Sequence, residues 1–132
     1  MKQTVKIIDD PHNEAQHQTN VMRWSLINMD KFPELSLLHH IPNGGTRDAI
    51  EGKHLKDQGV KSGVPDLCLP VPKGKYHGLY IEMKTEKGHE TNEQSWWRER
   101  LTLEGYLVLV CHGWLNAVDT IEHYMYLGPF HI

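Results

Sequence analysis

Two carboxylates and a lysine carry the chemistry this sequence offers. Asp66 follows Pro65, fifteen residues intervene, and Glu82-Met83-Lys84 comes next. Side chains alternate along a strand. A strand over 78–84 therefore puts Tyr80, Glu82 and Lys84 on one face and Leu79, Ile81 and Met83 on the other. Gly74 lies midway between Asp66 and Glu82, inside the turn-like Lys73-Gly74-Lys75. A symmetric antiparallel hairpin sets Asp66 opposite Glu82, where cross-strand partners are about 5 Å apart. Two like charges so close repel unless a cation lies between them. Two carboxylates and a strand-end carbonyl make an all-oxygen donor set, which suits Mg²⁺ or Mn²⁺ and not zinc. Such an ion could lower the pKa of a bound water and clamp a phosphate oxygen. Lys84 could orient that water or neutralise charge developing on the phosphate. This is equipment for phosphodiester hydrolysis. A Glu-x-Lys triplet alone reads as an ordinary charged strand end; Pro-Asp at hairpin distance is what lifts it above that.

Other elements must hold these groups in place. From Asn13 to Met29 the pattern is helical, with Val21, Met22, Leu26 and Met29 on one side and Asn13 as N-cap. Glu14 and Gln18 fall on that same side, so a carboxylate aims inward near the helix start. Dipole compensation is the plainer reading of it. Phe32-Pro33 ends the helix, and Leu35–Ile41 reads as a short strand. A loop at 42–45 leads to a charged helix from Thr46 or Arg47 to about Gln58. Gly59, Gly63 and Pro65 mark a second loop. After the hairpin strands 66–71 and 78–84, a helix runs over 90–104, with Thr91 and Gln94 spaced as a capping box. The apolar run 106–111 reads as a central strand buried on both faces. Trp114–Tyr126 is a closing amphipathic helix with Trp114, Ala117, Val118, Ile121 and Met125 inward. The order predicts an α/β fold, a small mixed sheet flanked by helices. Residues 1–11 read as a loose start, and 12–132 as one domain.

Composition narrows the class. A chain of 132 residues with 39% hydrophobic content fits one domain with its own core. No apolar run approaches the roughly 20 residues of a membrane span, and the start lacks the apolar core of a signal peptide. Cys68 and Cys111 lie in apolar runs and read as reduced core residues of an intracellular protein. The net charge of -3 argues against a sequence-independent DNA wrapper. Residues 43–75 nevertheless hold six Lys/Arg against four Asp/Glu, enough for a local basic face. Asn43-Gly44-Gly45 with Arg47 could bring backbone and guanidinium to a phosphate, although a plain turn before a helix explains them too. Lys61 and Ser62, just before Pro65-Asp66, have the same standing. Trp96 and Leu103 fall on the outer side of their helix, as a dimer contact or under the C-terminal helix. His89-Glu90-Thr91-Asn92-Glu93 lacks the second histidine of a zinc-protease helix. His39-His40 with Asn43 is better read as a strand end than as a histidine-metal nuclease. Nucleotide-cofactor and hydrolase-elbow motifs are absent.

In order, the sequence shows Glu14 with Gln18, Ile41-Pro42-Asn43-Gly44-Gly45 with Arg47, and the run from Gly59 to Leu67. Ile81-Glu82-Met83-Lys84, Gln94 with Trp97, and Gly105-Tyr106 complete the series. This series resembles the VRR-NUC branch of the PD-(D/E)xK nuclease superfamily, in particular its small stand-alone phage-type members. The resemblance implies a restriction-endonuclease-like fold and a divalent-metal-dependent DNA nuclease. It implies Asp66, Glu82, the Met83 carbonyl and Glu14 as metal ligands, Lys84 as the catalytic lysine and Gln94 as a supporting catalytic residue. It further implies Mg²⁺ or Mn²⁺ as cofactor and branched DNA, such as flaps or four-way junctions, as substrate. A homodimer in phage replication, repair or recombination, in the host cytoplasm, completes the expectation. The rival class is a non-catalytic DNA-binding or structural module that retains the fold. A sequence-specific restriction enzyme is disfavoured because the chain looks too short for a separate recognition domain.

Overall fold

The computed structural model describes residues 4–42 and 49–132. Helix α1 spans Glu14–Ile27, strand β1 His39–His40, helix α2 Ala49–Asp57, strand β2 Leu67–Leu69 and strand β3 Leu79–Lys84. Helix α3 spans Asn92–Leu103, strand β4 Leu107–His112 and helix α4 Trp114–Met125. The sheet runs β1-β2-β3-β4, with antiparallel pairs on either side of β2 and a parallel pair between β3 and β4. A parallel pair needs a crossover, and α3 supplies it. Helices α1 and α4 pack on each other and on β3, and α3 packs on β4. This is the single-domain α/β mixed sheet that the sequence predicts. Among the described residues, no helix is long and apolar enough to cross a membrane.

The core lies where β3 meets α1 and α4. Leu79, Ile81 and Met83 from β3 join Val21 of α1 and Ala117, Val118, Ile121, Tyr124 and Met125 of α4. These are the alternate residues of β3 and the one-face set of α4, so both periodicities act as read. Cys68 and Cys111 are buried free thiols, and burial pushes both thiols up. Tyr124 carries the one polar handle of that α4 face. Its hydroxyl donates to Val71 O at 2.6 Å in a buried setting, and burial pushes it up to about 12.

Three sequence expectations need correction. Residues 35–41 do not form one strand. Pro33 opens a 3-10 turn over Pro33–Leu37, and only His39–His40 pairs in the sheet. Proline suits the first turn of a helix, where its missing N–H costs nothing. The buried pair Leu35 and Leu38 is spaced three apart, the period of a 3-10 turn and not of a strand. Strand β4 is not central. It is the sheet's edge, and Leu109 is 38% exposed. An unbroken apolar run reflects helices packed against a parallel strand, and α3 and α4 supply these at an edge as well. Leu26, read as inward, is exposed.

The hairpin register is the one that the midpoint at Gly74 predicts. Leu67 pairs with Ile81, Cys68 with Tyr80 and Leu69 with Leu79. The tip departs from it: Lys73 bridges Tyr76, so three residues separate Leu69 from Lys73 but two separate Tyr76 from Leu79. Val71 absorbs the extra residue by donating its N–H to Leu69 O at 2.9 Å. The shift therefore stays at the tip and does not reach the carboxylates. The C-terminal segment straps this tip, with Gly74 N donating to Gly128 O at 3.1 Å and His131 N to Gly74 O at 2.8 Å. Gly74 has φ 55°, a left-handed conformation that glycine adopts without penalty.

Removing the Tyr124 hydroxyl leaves the Val71 carbonyl unpaired in the core. Tyr124→Phe is expected to cost about 1–3 kcal/mol, read as a lower urea midpoint with an unchanged slope. An unchanged midpoint would show that this bond does not hold α4 to the hairpin.

Candidate active site

Continuing the hairpin register one step past Leu67 and Ile81 brings Asp66 opposite Glu82. Asp66 sits just before β2 and is held from two sides. Its Oδ2 accepts the Met83 N–H at 2.7 Å. Its carbonyl accepts the Ile41 N–H at 2.8 Å, and His40 Nδ1 lies 2.8 Å from the same oxygen. The short strand β1 thus anchors the backbone of Asp66, while β3 aims its side chain. The hydrogen bond to Met83 also places the Met83 peptide beside the carboxylates.

Glu14 completes the group from α1. Asn13 caps that helix, its Oδ1 accepting from Gln16 N at 2.8 Å. The cap sets Glu14 in the first turn, where the positive end of the helix dipole favours a carboxylate. Glu14, Asp66 and Glu82 each present an oxygen, and these oxygens lie within 4.8 Å of one another. Among the described residues this is the cluster of ligand-type side chains close enough to hold an ion. Its burial is graded, with Glu14 exposed, Asp66 intermediate and Glu82 only 4% exposed. Burial lifts the Glu82 carboxyl from the usual 4.5 to about 9, aided by the hydrogen bond and charge of Asp66 and by Glu14; Lys84 opposes the rise. Glu82 Oε1 is buried without a hydrogen-bond partner. An orphaned buried oxygen facing two more carboxylates is a mismatch that a hard divalent cation corrects. The residues present fit such an ion.

Lys84 ends β3 and is 7% exposed, with its charge acting on both Glu82 and Glu90. Two features that the sequence reading passed over hold it. A turn closed by Gly88 N to Thr85 O at 3.1 Å lays Gly88 over its stem. A Cβ at position 88 would lie 3.2 Å from Lys84 Cδ and 3.4 Å from Lys84 Cβ. Beyond it, Glu90 is clasped by Arg98, with Nη2 at 2.6 Å and Nε at 3.1 and 3.2 Å, and by Ser95 Oγ at 2.8 Å. Arg98 holds the Glu90 carboxyl below its ordinary value. Glu90 lies just before the Thr91 cap, outside α3, so helical spacing gave no signal for its contact with Arg98.

The remaining sequence candidates are placed as follows. Gln94 forms the capping box, its Oε1 accepting from Thr91 N at 2.8 Å while Thr91 Oγ1 accepts from Gln94 N at 3.2 Å. Lys61 and Ser62 are exposed on the loop leading to Asp66. That loop is tied to α3 by Trp97 Nε1 donating to Ser62 O at 3.1 Å and by Gly63. At Gly63, with φ 89°, a Cβ would fall 2.6 Å from Glu93 Cβ and 2.7 Å from its backbone carbon, so only glycine fits. Asn43, Gly44, Gly45 and Arg47 lie outside the described residues. Trp96 and Leu103 are exposed on α3, so burial under the C-terminal helix does not account for them.

A model of the VRR-NUC domain family matches residues 2–114 of the chain. Among solved structures, one described as a VRR_NUC domain protein is similar at 36% identity with a TM-score of 0.78, over 92% of this chain and 95% of that one. A search of curated proteins returned no match.

The strained carboxylates make stability depend on pH. A carboxyl whose pKa is raised in the folded chain favours folding fully below about 4.5, and the contribution is lost as pH rises through about 9. The metal-free protein is therefore expected to lose stability across that window, and Glu82→Gln to flatten it. Urea midpoints in EDTA at stepped pH measure this; parallel profiles for the two proteins would contradict it. Saturating Mn²⁺ is expected to raise the melting temperature of the wild type, by ligand linkage, and to leave Glu82→Gln nearly unmoved.

Proposed function

The chain belongs to the VRR-NUC domain family, and from that premise we propose that it is a DNA nuclease that hydrolyses phosphodiester bonds with Mg²⁺ or Mn²⁺. The observation that carries the reading is the buried, unpartnered Glu82 oxygen facing Asp66 and Glu14 beside Lys84. Asp66, Glu82, Glu14 and the Met83 carbonyl would hold the ion. When bound, it supplies charge stabilisation and a more acidic water. The chain's own part is positional. The hairpin register and the Met83 N–H set the two strand carboxylates, and the Asn13 cap sets the third. Lys84, its stem pressed by Gly88, offers an ammonium group to the charge that builds on the phosphate. Gln94 would support the site through its amide nitrogen.

We extend the reading to branched DNA, flaps or four-way junctions, in phage replication, repair or recombination in the host cytoplasm. Lys61, Ser62 and the segment Asn43, Gly44, Gly45 and Arg47 are the proposed DNA contacts. A homodimer is the proposed working form, and the exposure of Trp96 and Leu103 on α3 supports it.

Purified protein with labelled linear, flap and junction DNA tests this reading. Cutting in Mg²⁺ or Mn²⁺ that stops in EDTA is expected, with Lys84→Ala and Asp66→Ala each losing about two to three orders of magnitude in rate. DNA retained without cutting by a folded wild type would instead mark a binding module. Gly88→Ala is expected to fold and to lower turnover more than DNA affinity, because its Cβ displaces the lysine and not the substrate. Turnover equal to wild type would remove Gly88 from the positioning role.

A further inference from the structure

Beside the carboxylates lies a second concavity, a cleft of about 370 Å³ between the start of α1 and the start of α4. It abuts the candidate site. His112 is the in-register partner of Lys84 across the parallel ladder, and Gly113 N donates to Lys84 O at 2.8 Å. Glu86 comes two residues after Lys84, and His17 one helical turn after Glu14.

The lining has a definite chemistry. His17 Nδ1 accepts the Trp114 N–H at 3.0 Å, capping α4 where Gly113 has no side chain to do so. Its proton is therefore on Nε2, and the ring is a donor toward the cleft. His112 Nδ1 lies 2.9 Å from the Thr85 carbonyl. A carbonyl only accepts, so this ring carries its proton on Nδ1 and keeps Nε2 as an acceptor. Asp10 and Glu86 add carboxylate acceptors, and Pro11, Trp114 and Leu115 add apolar lining. Leu115 is 66% exposed at a helix start, where no packing requires it. The carboxylates repel a phosphate. Among the described residues the ion-holding cluster does not include these four polar groups. Mixed donors and acceptors beside apolar side chains match the edge and face of a nucleobase.

We propose that this cleft receives an unpaired nucleobase next to the phosphate being cut. The proposal rests on the nuclease reading above and adds a base-binding subsite to it. A base held in a duplex cannot reach the cleft, whereas a base freed at a branch point can turn into it at no unpairing cost.

The test uses junction and flap oligonucleotides with 2-aminopurine at successive nucleotides across the branch point, bound in Ca²⁺, beside fully paired controls. Leu115→Ala and Glu86→Ala are compared with wild type and with Leu37→Ala, a comparably exposed leucine elsewhere. The expected result is a fluorescence change at an unpaired position and none at a paired one. It should fall in Leu115→Ala and Glu86→Ala and persist in Leu37→Ala. The ratio of kcat/KM for unpaired over paired substrate is expected to drop roughly tenfold in Leu115→Ala, the scale of a lost apolar contact in a binding pocket. Equal signals for paired and unpaired positions, or a signal and ratio untouched by both variants, would overturn the proposal. Absence of cutting in Mg²⁺ and Mn²⁺ would sink the nuclease reading instead, and the fluorescence would still decide whether the cleft takes a base.

Discussion

The arrangement depends on one electrostatic conflict, a carboxylate at position 82 buried opposite another at position 66. In water two such groups would separate or ionise freely. Here the pairing of Leu67 with Ile81 and the bond from Met83 N–H to Asp66 forbid separation. The opposite face of β3 is committed to the core, so sliding the strand by one residue would put Glu82 and Lys84 into it. The hydrophobic register therefore enforces the polar conflict. Burial of Leu79, Ile81 and Met83 is the source of the free energy that holds the acids together, and cation binding can draw on that conflict.

The rest of the molecule guards this geometry at its margins. Helix α1 brings a third acid from outside the sheet. The glycines at 63 and 88 permit close approaches that fix the loop before Asp66 and the stem of Lys84. The Glu90–Arg98 pair is only partly buried, so its direct contribution to stability is modest. The charge of Lys84 acts on both Glu90 and Glu82. The lysine thus answers to two acids with different surroundings, one grouped with other carboxylates and one clasped by a guanidinium.

The legible parts of the sequence were those governed by short periods. The midpoint at Gly74 located the register and alternation in 79–84 assigned the faces; the phase of α1 put Glu14 on the side that meets Asp66 and Glu82, although Glu14 itself is exposed. Thr91 and Gln94 announced their capping box in full. What escaped depends on contacts between distant segments. The edge position of β4 is invisible in an apolar run, because helices packed on an edge strand select apolar residues there too, even where one of them, Leu109, stays exposed. Leu35 and Leu38 read as strand residues until their spacing of three is set beside Pro33. Gly88 drew no reading from the sequence. Its contact with Lys84 exists only because the chain turns back immediately after β3.

The strap from Gly128 to His131 on the hairpin tip also bears on cooperativity. A hairpin joined only at its turn could fray from the tip, with each lost rung loosening the next. Here the tip is tied to the last residues of the chain, and those follow directly from α4, which packs on α1. The first and last helices and the central hairpin thereby close into a loop of mutual supports. Local opening at the tip must break the two strap bonds as well as the Lys73–Tyr76 bridge, so it costs more than fraying of an untied turn. The hairpin's far end is in that sense steadied by residues more than fifty positions away in sequence.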